Sequence, residues 1–331
     1  MSSLSKAGVP DIPHTKRKMD KAKAKKYFFK YVVSLVRWIF ILGMCFVVLY
    51  PLFSKIMISF MSIEDMYNAS VRYIPQSFTF SNYLNAWTRF GGWETFVNTF
   101  ILTLLCSLLQ VIKATLVGYG LARFKFRLNK LVFIMVIIAL LLPPDLLFSP
   151  RYGIFLNLGL SMRGLFGEEF TMIGDTYIPM LAFAITCTGL KCSLYIFLMR
   201  QFFRGMPKEL EEAAYVDGAG PLKTFIKIML PGAVAMMVTV FLFSFVWQWL
   251  DTSYTTVFCK NIDLISTRFS DLSNSWVTDP SASTSAGAST ALSTSLVKNA
   301  GIVIIIAPLI VLYAFTQRFF VESISRSGLV G

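Results

Sequence analysis

Apolar positions along this chain come in long runs, and the polar positions collect between them. Six stretches, about residues 32–57, 96–122, 131–150, 177–199, 232–250 and 298–317, are almost continuously hydrophobic. A helix needs about 20 residues to cross a hydrocarbon core, and these runs approach or exceed that length. Strands of a membrane barrel would instead alternate, inside and outside, in shorter segments. The pattern predicts an all-α integral membrane protein with six spans. Pro143 and Pro144 kink or end the third span, because proline removes a ladder hydrogen bond. Pro308 sits inside the sixth, where neighbouring helices can satisfy the freed carbonyl.

Composition agrees: 55% of residues are hydrophobic and 15% charged. The net charge of +13 is unevenly spread. Nine basic residues (Lys6, Lys16, Arg17, Lys18, Lys21, Lys23, Lys25, Lys26 and Lys30) crowd residues 1–30. That polar, Lys-rich tail predicts disorder. It also predicts a segment held in the cytoplasm against anionic lipid headgroups. No basic platform interleaved with aromatics follows it, so nucleic acid is not an expected partner. The first apolar run follows the tail without a small-residue cleavage site and reads as a retained anchor.

Orientation follows from the same charges. With the N-terminus inside, the inner segments hold 20 Lys and Arg and the outer segments 8. Inside-basic wins, which places both termini in the cytoplasm. Residues 123–130 and 200–230 then lie inside, and 55–95, 151–176 and 251–298 outside.

Little bond-making chemistry is available. The single histidine, His14, lies in the basic tail, which excludes a His-dependent triad or a paired-His metal site within this chain. The five cysteines, Cys45, Cys106, Cys187, Cys192 and Cys259, have no metal-ligand spacing and read as small packing residues. No catalytic residue and no metal ligand is expected. Arg37, Lys113 and Lys191 are the basic residues inside predicted spans and away from their ends. For Lys113 and Lys191 two readings stay open. Each lines a wet pathway, or each runs its stem along the helix and lets the amine snorkel to a carbonyl.

One polar insert interrupts the apolar pattern: "RGMPKELEEAAYVDGAGPLKTFIKIMLP", residues 204–231, between the fourth and fifth spans. Pro207 suits the first turn of a helix, where its missing N–H costs nothing. Glu209, Glu211 and Glu212 then sit where the helix dipole favours negative charge. Gly218 and Gly220 can adopt the left-handed backbone that stops a helix. Pro221 opens a second short helix with Phe225, Ile228 and Met229 on one side, and Pro231 ends it. Ala213 and Ala214 present almost no side chain, which permits close approach to another surface. A short amphipathic helix projecting into water cannot bury its apolar face alone, so this one needs a docking partner.

"EEAAYVDGAGPLKTFIKIMLP" resembles the signature loop of ATP-binding-cassette (ABC) importer permeases, through Glu212, Ala213, Ala214, Asp217, Gly218, Gly220, Ile228, Leu230 and Pro231. "IPQSFTFSNYLNAW", "GYGLARFKFR", "FLMRQFFRGMPKELEEAA" and "QRFFVESISRSGLVG" resemble the carbohydrate branch of that family, which includes maltose and multiple-sugar permeases. The likeness covers roughly residues 70–331.

It implies a six-helix permease of the type I importer class with a cytoplasmic coupling helix. The permease domain is 31–331, its coupling loop 204–231 and its extracytoplasmic loop 251–297. It also implies a bacterial cytoplasmic-membrane protein that works with a second, homologous permease, a dimer of ABC ATPases and an extracytoplasmic sugar-binding protein. ATP and Mg belong to the ATPase, and this chain carries no cofactor. Glu212 is the acid expected to meet a basic residue of the ATPase, and Gly220 the glycine expected to make the turn. The loop itself is not a nucleotide site. "GAGPLKT" lacks the phosphate-loop spacing, and Pro221 removes a donor where a phosphate cradle needs one.

Two segments keep more than one reading. Trp247, Gln248 and Asp251, in "WQWLDTSY", could offer sugar both ring faces and hydrogen bonds. Trp and Tyr also gather at membrane interfaces whatever is transported. The Ser/Thr/Ala-rich stretch 273–296 is a flexible linker or a docking surface for an outer partner. A stand-alone secondary transporter is the alternative from another class. Such proteins usually carry membrane-embedded carboxylates; here Asp145 stands near an outer edge and no acid lies mid-span.

Overall fold

The protein is described from a computed structural model covering residues 21–167, 169–274 and 285–328. Every regular element among them is helical. The chain divides into two compact units, Met1–Ser54 and Lys55–Gly331.

The first unit is built on α1 (Lys21–Ser59), which carries Pro51 in its interior. Residues 21–30 extend this helix toward the N-terminus. The expected disorder of the basic tail therefore does not hold for them. The run "KAKAKK" consists of good helix formers with no breaker before the apolar segment. Residues 1–20 lie outside the described residues.

The second unit begins with two short helices, α2 (Ile63–Tyr67) and α3 (Ser81–Arg89). The Asn82 side chain holds them by donating to the carbonyls of Ser59 (3.0 Å) and Met61 (2.8 Å). Then comes α4 (Gly92–Arg123), the helix on which the unit is organised. It packs against α7 (Ile178–Ile185), α8 (Cys192–Gly205) and α12 (Val234–Trp249). It comes close to α8 at Gly118. A Cβ there would fall 2.6 Å from Met199 Cβ and 2.9 Å from the Arg200 backbone nitrogen, so only glycine lets α4 and α8 lie this near. Helix α12 packs in turn against α15 (Ser285–Gly328), which carries Pro308 and also meets α3.

The second and sixth runs are single helices, as expected: α4 spans one and α15 the other. The third and fourth are not. α5 (Asn129–Leu141) ends before Pro143; a 3-10 turn (Pro144–Leu147) and α6 (Phe148–Phe166) follow. The fourth run is cut into α7 and α8 by residues 186–191. Among the described residues three helices are long and apolar enough to cross a membrane unbroken: Tyr27–Ser59, Gly92–Arg123 and Thr290–Phe320. The fifth run joins them only with its preceding segment, Pro221–Gly232, from which it bends by 71°.

On the side of the 151–176 and 251–274 segments, α13 (Ser253–Phe258) and α14 (Ile265–Asn274) close the unit. Phe155, Phe183, Tyr254 and Phe258 form an aromatic cluster there, with Phe183 edge-on to Phe258 at 5.0 Å. Arg151 donates to Tyr254 Oη and lies over the Phe183 ring. Residues 275–284, within the Ser/Thr/Ala-rich stretch, lie outside the described residues.

Candidate functional site

The polar insert folds as two short helices around a glycine turn. α9 (Glu209–Val216) carries Glu209, Glu211 and Glu212 in its first turn. Gly218 takes the left-handed conformation, φ 77°, just past the helix end. Gly220 does not: it is extended (φ −72°, ψ 167°) and caps α10 (Pro221–Thr224), with Pro221 at the first helical positions.

The second helix runs past its expected stop. A π-helical turn (Phe225–Met229) leads directly into α11 (Leu230–Gly232), and the break falls at Ala233. Pro231 has no N–H to donate. The ladder before it widens, and the Leu230 N–H bonds the carbonyl of Phe225.

The three acids of α9 face different surroundings. Glu211 turns inward: Tyr119 Oη donates to its Oε1 at 2.9 Å, and Arg123 Nη1 lies 3.4 Å from its Oε2. Arg123 Nη2 donates to the carbonyl of Met206 at 2.7 Å, which ties the start of the insert to the same guanidinium. The Arg123 and Glu211 side chains are only 7% and 10% exposed. Aromatic rings seal this contact: Tyr119 lies 4.6 Å from Phe225 and 5.3 Å from Phe203, centroid to centroid. Glu212, one residue on, points outward.

The two alanines serve opposite faces. Ala214 is buried at 4% exposure, and Ala213 is exposed. With Glu212 and Ala213 on the open side lie Val216, Asp217 and Leu222. Val216 is 87% and Leu222 71% exposed, although both are apolar. The expected Gly218 and Gly220 also lie on this exposed turn. The sequence reading singled out Glu212 and passed over Glu211. A carboxylate in the N-terminal turn accounts for either equally well, and only the packing of α4 separates them.

The residues at the end of the fifth run divide as well. Asp251 is buried: Oδ2 accepts from Thr255 N (2.9 Å) and Oδ1 from Tyr254 N (3.3 Å), capping α13. Burial holds its carboxyl above the usual range. Gln248 is also buried, and its Nε2 has no hydrogen-bond partner. Trp247 alone is open, and Lys191 Nζ lies 4.8 Å from its ring centroid. Lys113 Nζ donates to the carbonyl of Ala184 at 2.8 Å, at the end of α7. Lys113 and Lys191 thus both meet the break between α7 and α8. No ring of His, Cys, Asp and Glu able to hold a metal is found among the described residues.

Residues 114–326, well over half of the chain, match the family of binding-protein-dependent transport system inner membrane components. The chain belongs to that family. Its members are transport subunits and not enzymes, and the matched residues take in the insert, the α7–α8 break and Trp247. This inner membrane component is 28% identical over 325 residues to the probable ABC transporter permease protein YurM of Bacillus subtilis, covering 98% of this chain and 95% of that one. It is 24% identical over 309 residues to the arabinooligosaccharides transport system permease protein AraQ of Halalkalibacterium halodurans (90% and 98% covered). It is 28% identical over 232 residues to the sn-glycerol-3-phosphate transport system permease protein UgpE of Escherichia coli K12 (68% and 75% covered). In structure it is similar to a chain of a bacterial ABC transporter that imports the acidic polysaccharide alginate, with a TM-score of 0.66 over 88% of this chain and 97% of that one, at 21% identity. That likeness establishes the fold of an ABC importer permease.

Proposed function

We propose that this inner membrane component is one of two homologous permeases in an ATP-driven carbohydrate importer, fed by an extracytoplasmic sugar-binding protein. In this reading the chain crosses the bacterial cytoplasmic membrane six times with both termini inside. The α5–α6 and α7–α8 pairs act as broken spans alongside the four continuous or bent ones. The insert 204–231 docks on an ABC ATPase, which holds the ATP and Mg; this chain binds neither.

The observation that carries the proposal is the two-sided insert. Its inner side is fixed to α4 through Glu211, Tyr119 and Arg123. Its outer side leaves Glu212, Ala213, Val216 and Leu222 uncovered. A lever needs a rigid root and a free docking face, and this element has both. The names of YurM, AraQ and UgpE support the permease reading, and those of AraQ and the alginate importer support the carbohydrate one. Glu212 supplies the charge for a basic partner, and Ala213 permits close approach. Asp217, Gly218 and Gly220 shape the turn, while Pro231 sets the π-helical exit. Of the three residues expected along the substrate path, Trp247 is the exposed one, which supports that reading for it alone.

The test is co-expression with the ATPase and sister permease. Glu212→Lys and Gly220→Asp are expected to remove the ATPase from the purified complex and abolish ATP-dependent uptake, while the chain stays in the membrane. Uptake that persists without any ATPase subunit overturns the proposal and favours an ion-driven carrier.

A further inference from the structure

Residues 186–191 interrupt the fourth apolar run with "TCTGLK". Among the described residues only two non-glycine positions adopt positive φ, Cys187 at 63° and Lys191 at 51°, and both lie in this interruption. Left-handed backbone is costly for such residues and persists where the surroundings enforce it, commonly at functional sites. The surroundings here are tight. A Cβ on Gly189 would fall 3.0 Å from Gln110 Nε2 and 3.1 Å from the carbonyl oxygen of Phe183. Gln110 Oε1 in turn accepts from Ser244 Oγ at 3.0 Å, tying α4 to α12 beside the break.

The two lysines play unequal parts. Lys113 is buried, and its ammonium is committed to the Ala184 carbonyl. It closes the broken end of α7. At 1.5 Å per residue Lys113 lies about 15 Å along α4 from Arg123, about half of a ~30 Å hydrocarbon core. Lys191 is half-buried and caps no carbonyl; its ammonium lies over the exposed ring of Trp247. It also stands at the N-terminus of the 14-residue helix α8, whose dipole favours an anion at that end. Among the described residues neither lysine forms an ion pair. α7, α8, α12 and the 186–191 segment contain no Asp or Glu, and α4 has only Glu94, in its first turn. An ammonium held at this depth without a counter-ion is expensive, and its natural complement is a charge brought by the cargo.

We infer that Lys191 and Trp247 form a subsite for the anionic group of an acidic saccharide: the ammonium pairs with a carboxylate or phosphate, and the indole stacks on the sugar ring. This rests on the importer reading above and adds the substrate class to it. Thr186 and Thr188, exposed and hydrogen-bonded to each other at 2.9 Å, offer hydroxyls beside it. Lys113 is a positioning residue that fixes the end of α7 through Ala184.

The test uses the complete importer in lipid nanodiscs, with the probes digalacturonate and its neutral counterpart digalactose, and glycerol phosphate against glycerol. Binding is read by calorimetry. The expected result is preference for a charged probe and a roughly ten- to hundred-fold loss of its affinity in Lys191→Gln. Lys191→Gly removes the amine while accepting the positive φ, so it guards against misfolding; it should match Lys191→Gln. Lys191→Arg should restore part of the affinity. No preference for either anion, or an equal loss for charged and neutral probes, overturns the subsite. ATPase co-purification, measured on the same samples, reports separately on the importer reading and should be unchanged in all three variants.

Discussion

Tyr119 Oη lies 2.9 Å from Glu211 Oε1, joining residues 92 positions apart in sequence and fastening the 204–231 insert to α4. Arg123, one helical turn beyond Tyr119, meets the other carboxylate oxygen and the Met206 carbonyl. Removing the carboxylate leaves a guanidinium that has lost its counter-ion in a closed site. Glu211→Ala should therefore cost about 3–5 kcal/mol of stability. Tyr119→Phe removes one hydrogen bond and should cost about 1–2 kcal/mol. Thermal unfolding in detergent measures both. Hydrogen exchange across 206–231 should rise in Glu211→Ala if the insert has come loose.

Glu212 supplies the contrast. Its side chain is exposed, so Glu212→Ala should change stability by less than about 0.5 kcal/mol. The same substitution should weaken the ATPase contact and lower uptake. A variant that melts like the parent yet loses its motor separates docking from folding. A variant that keeps full uptake would show that Glu212 is not part of the contact.

Gly118 and Gly120 predict opposite outcomes two residues apart. At Gly118 a Cβ meets Met199 Cβ at 2.6 Å, so Gly118→Ala should wedge α4 from α8 and cost about 1–3 kcal/mol. At Gly120 nothing lies within 4 Å, and Gly120→Ala should be neutral or stabilise by up to about 1 kcal/mol through helix propensity. Melting curves of the two variants decide it.

Asp175 gives the 171–176 and 258–262 segments a pH dependence. Its Oδ1 accepts from Asn261 Nδ2 (2.6 Å) and its Oδ2 from Thr171 Oγ1 (2.9 Å), and these bonds hold its carboxyl below the usual range. Because the folded value lies below the unfolded one, the contribution is full above the ordinary Asp pKa of about 3.9. It is lost as pH falls through the lower folded value. Hydrogen exchange around 171–176 and 258–262 should be flat from pH 7 to about 5, after correction for intrinsic rates, and rise in acid. Asp175→Asn should remove that rise.

Much of this was legible in the sequence, because bilayer thickness turns hydrophobic run length into helix length. The runs at 96–122 and 298–317 became α4 and α15, and Gly218 took its expected left-handed turn. The third run was harder to read. Pro143 and Pro144 promised a break, but hydropathy could not tell a kinked span from two helices. The fourth run gave less warning. "TCTGLK" is apolar enough to pass as helix, and what opens it is Gly189 packing against Gln110 on α4, a tertiary contact. Asp251 went unread for a similar reason. A carboxylate after an aromatic pair looks available to sugar, but it also sits three and four residues before the backbone N–H groups of Tyr254 and Thr255, and it caps α13.

The central claim, that the open face of the 204–231 insert seats against a separate ATPase, is tested most directly by cross-linking in native membranes. Ala213→Cys would be introduced after replacing the five native cysteines, together with the ATPase and sister permease. The account predicts a cross-link from position 213 to the ATPase subunit, protection of that cysteine from a cytoplasmic maleimide, and no cross-link from Thr188→Cys. An Ala213→Cys thiol labelled equally fast with and without the ATPase, in membranes that still take up substrate, would contradict it.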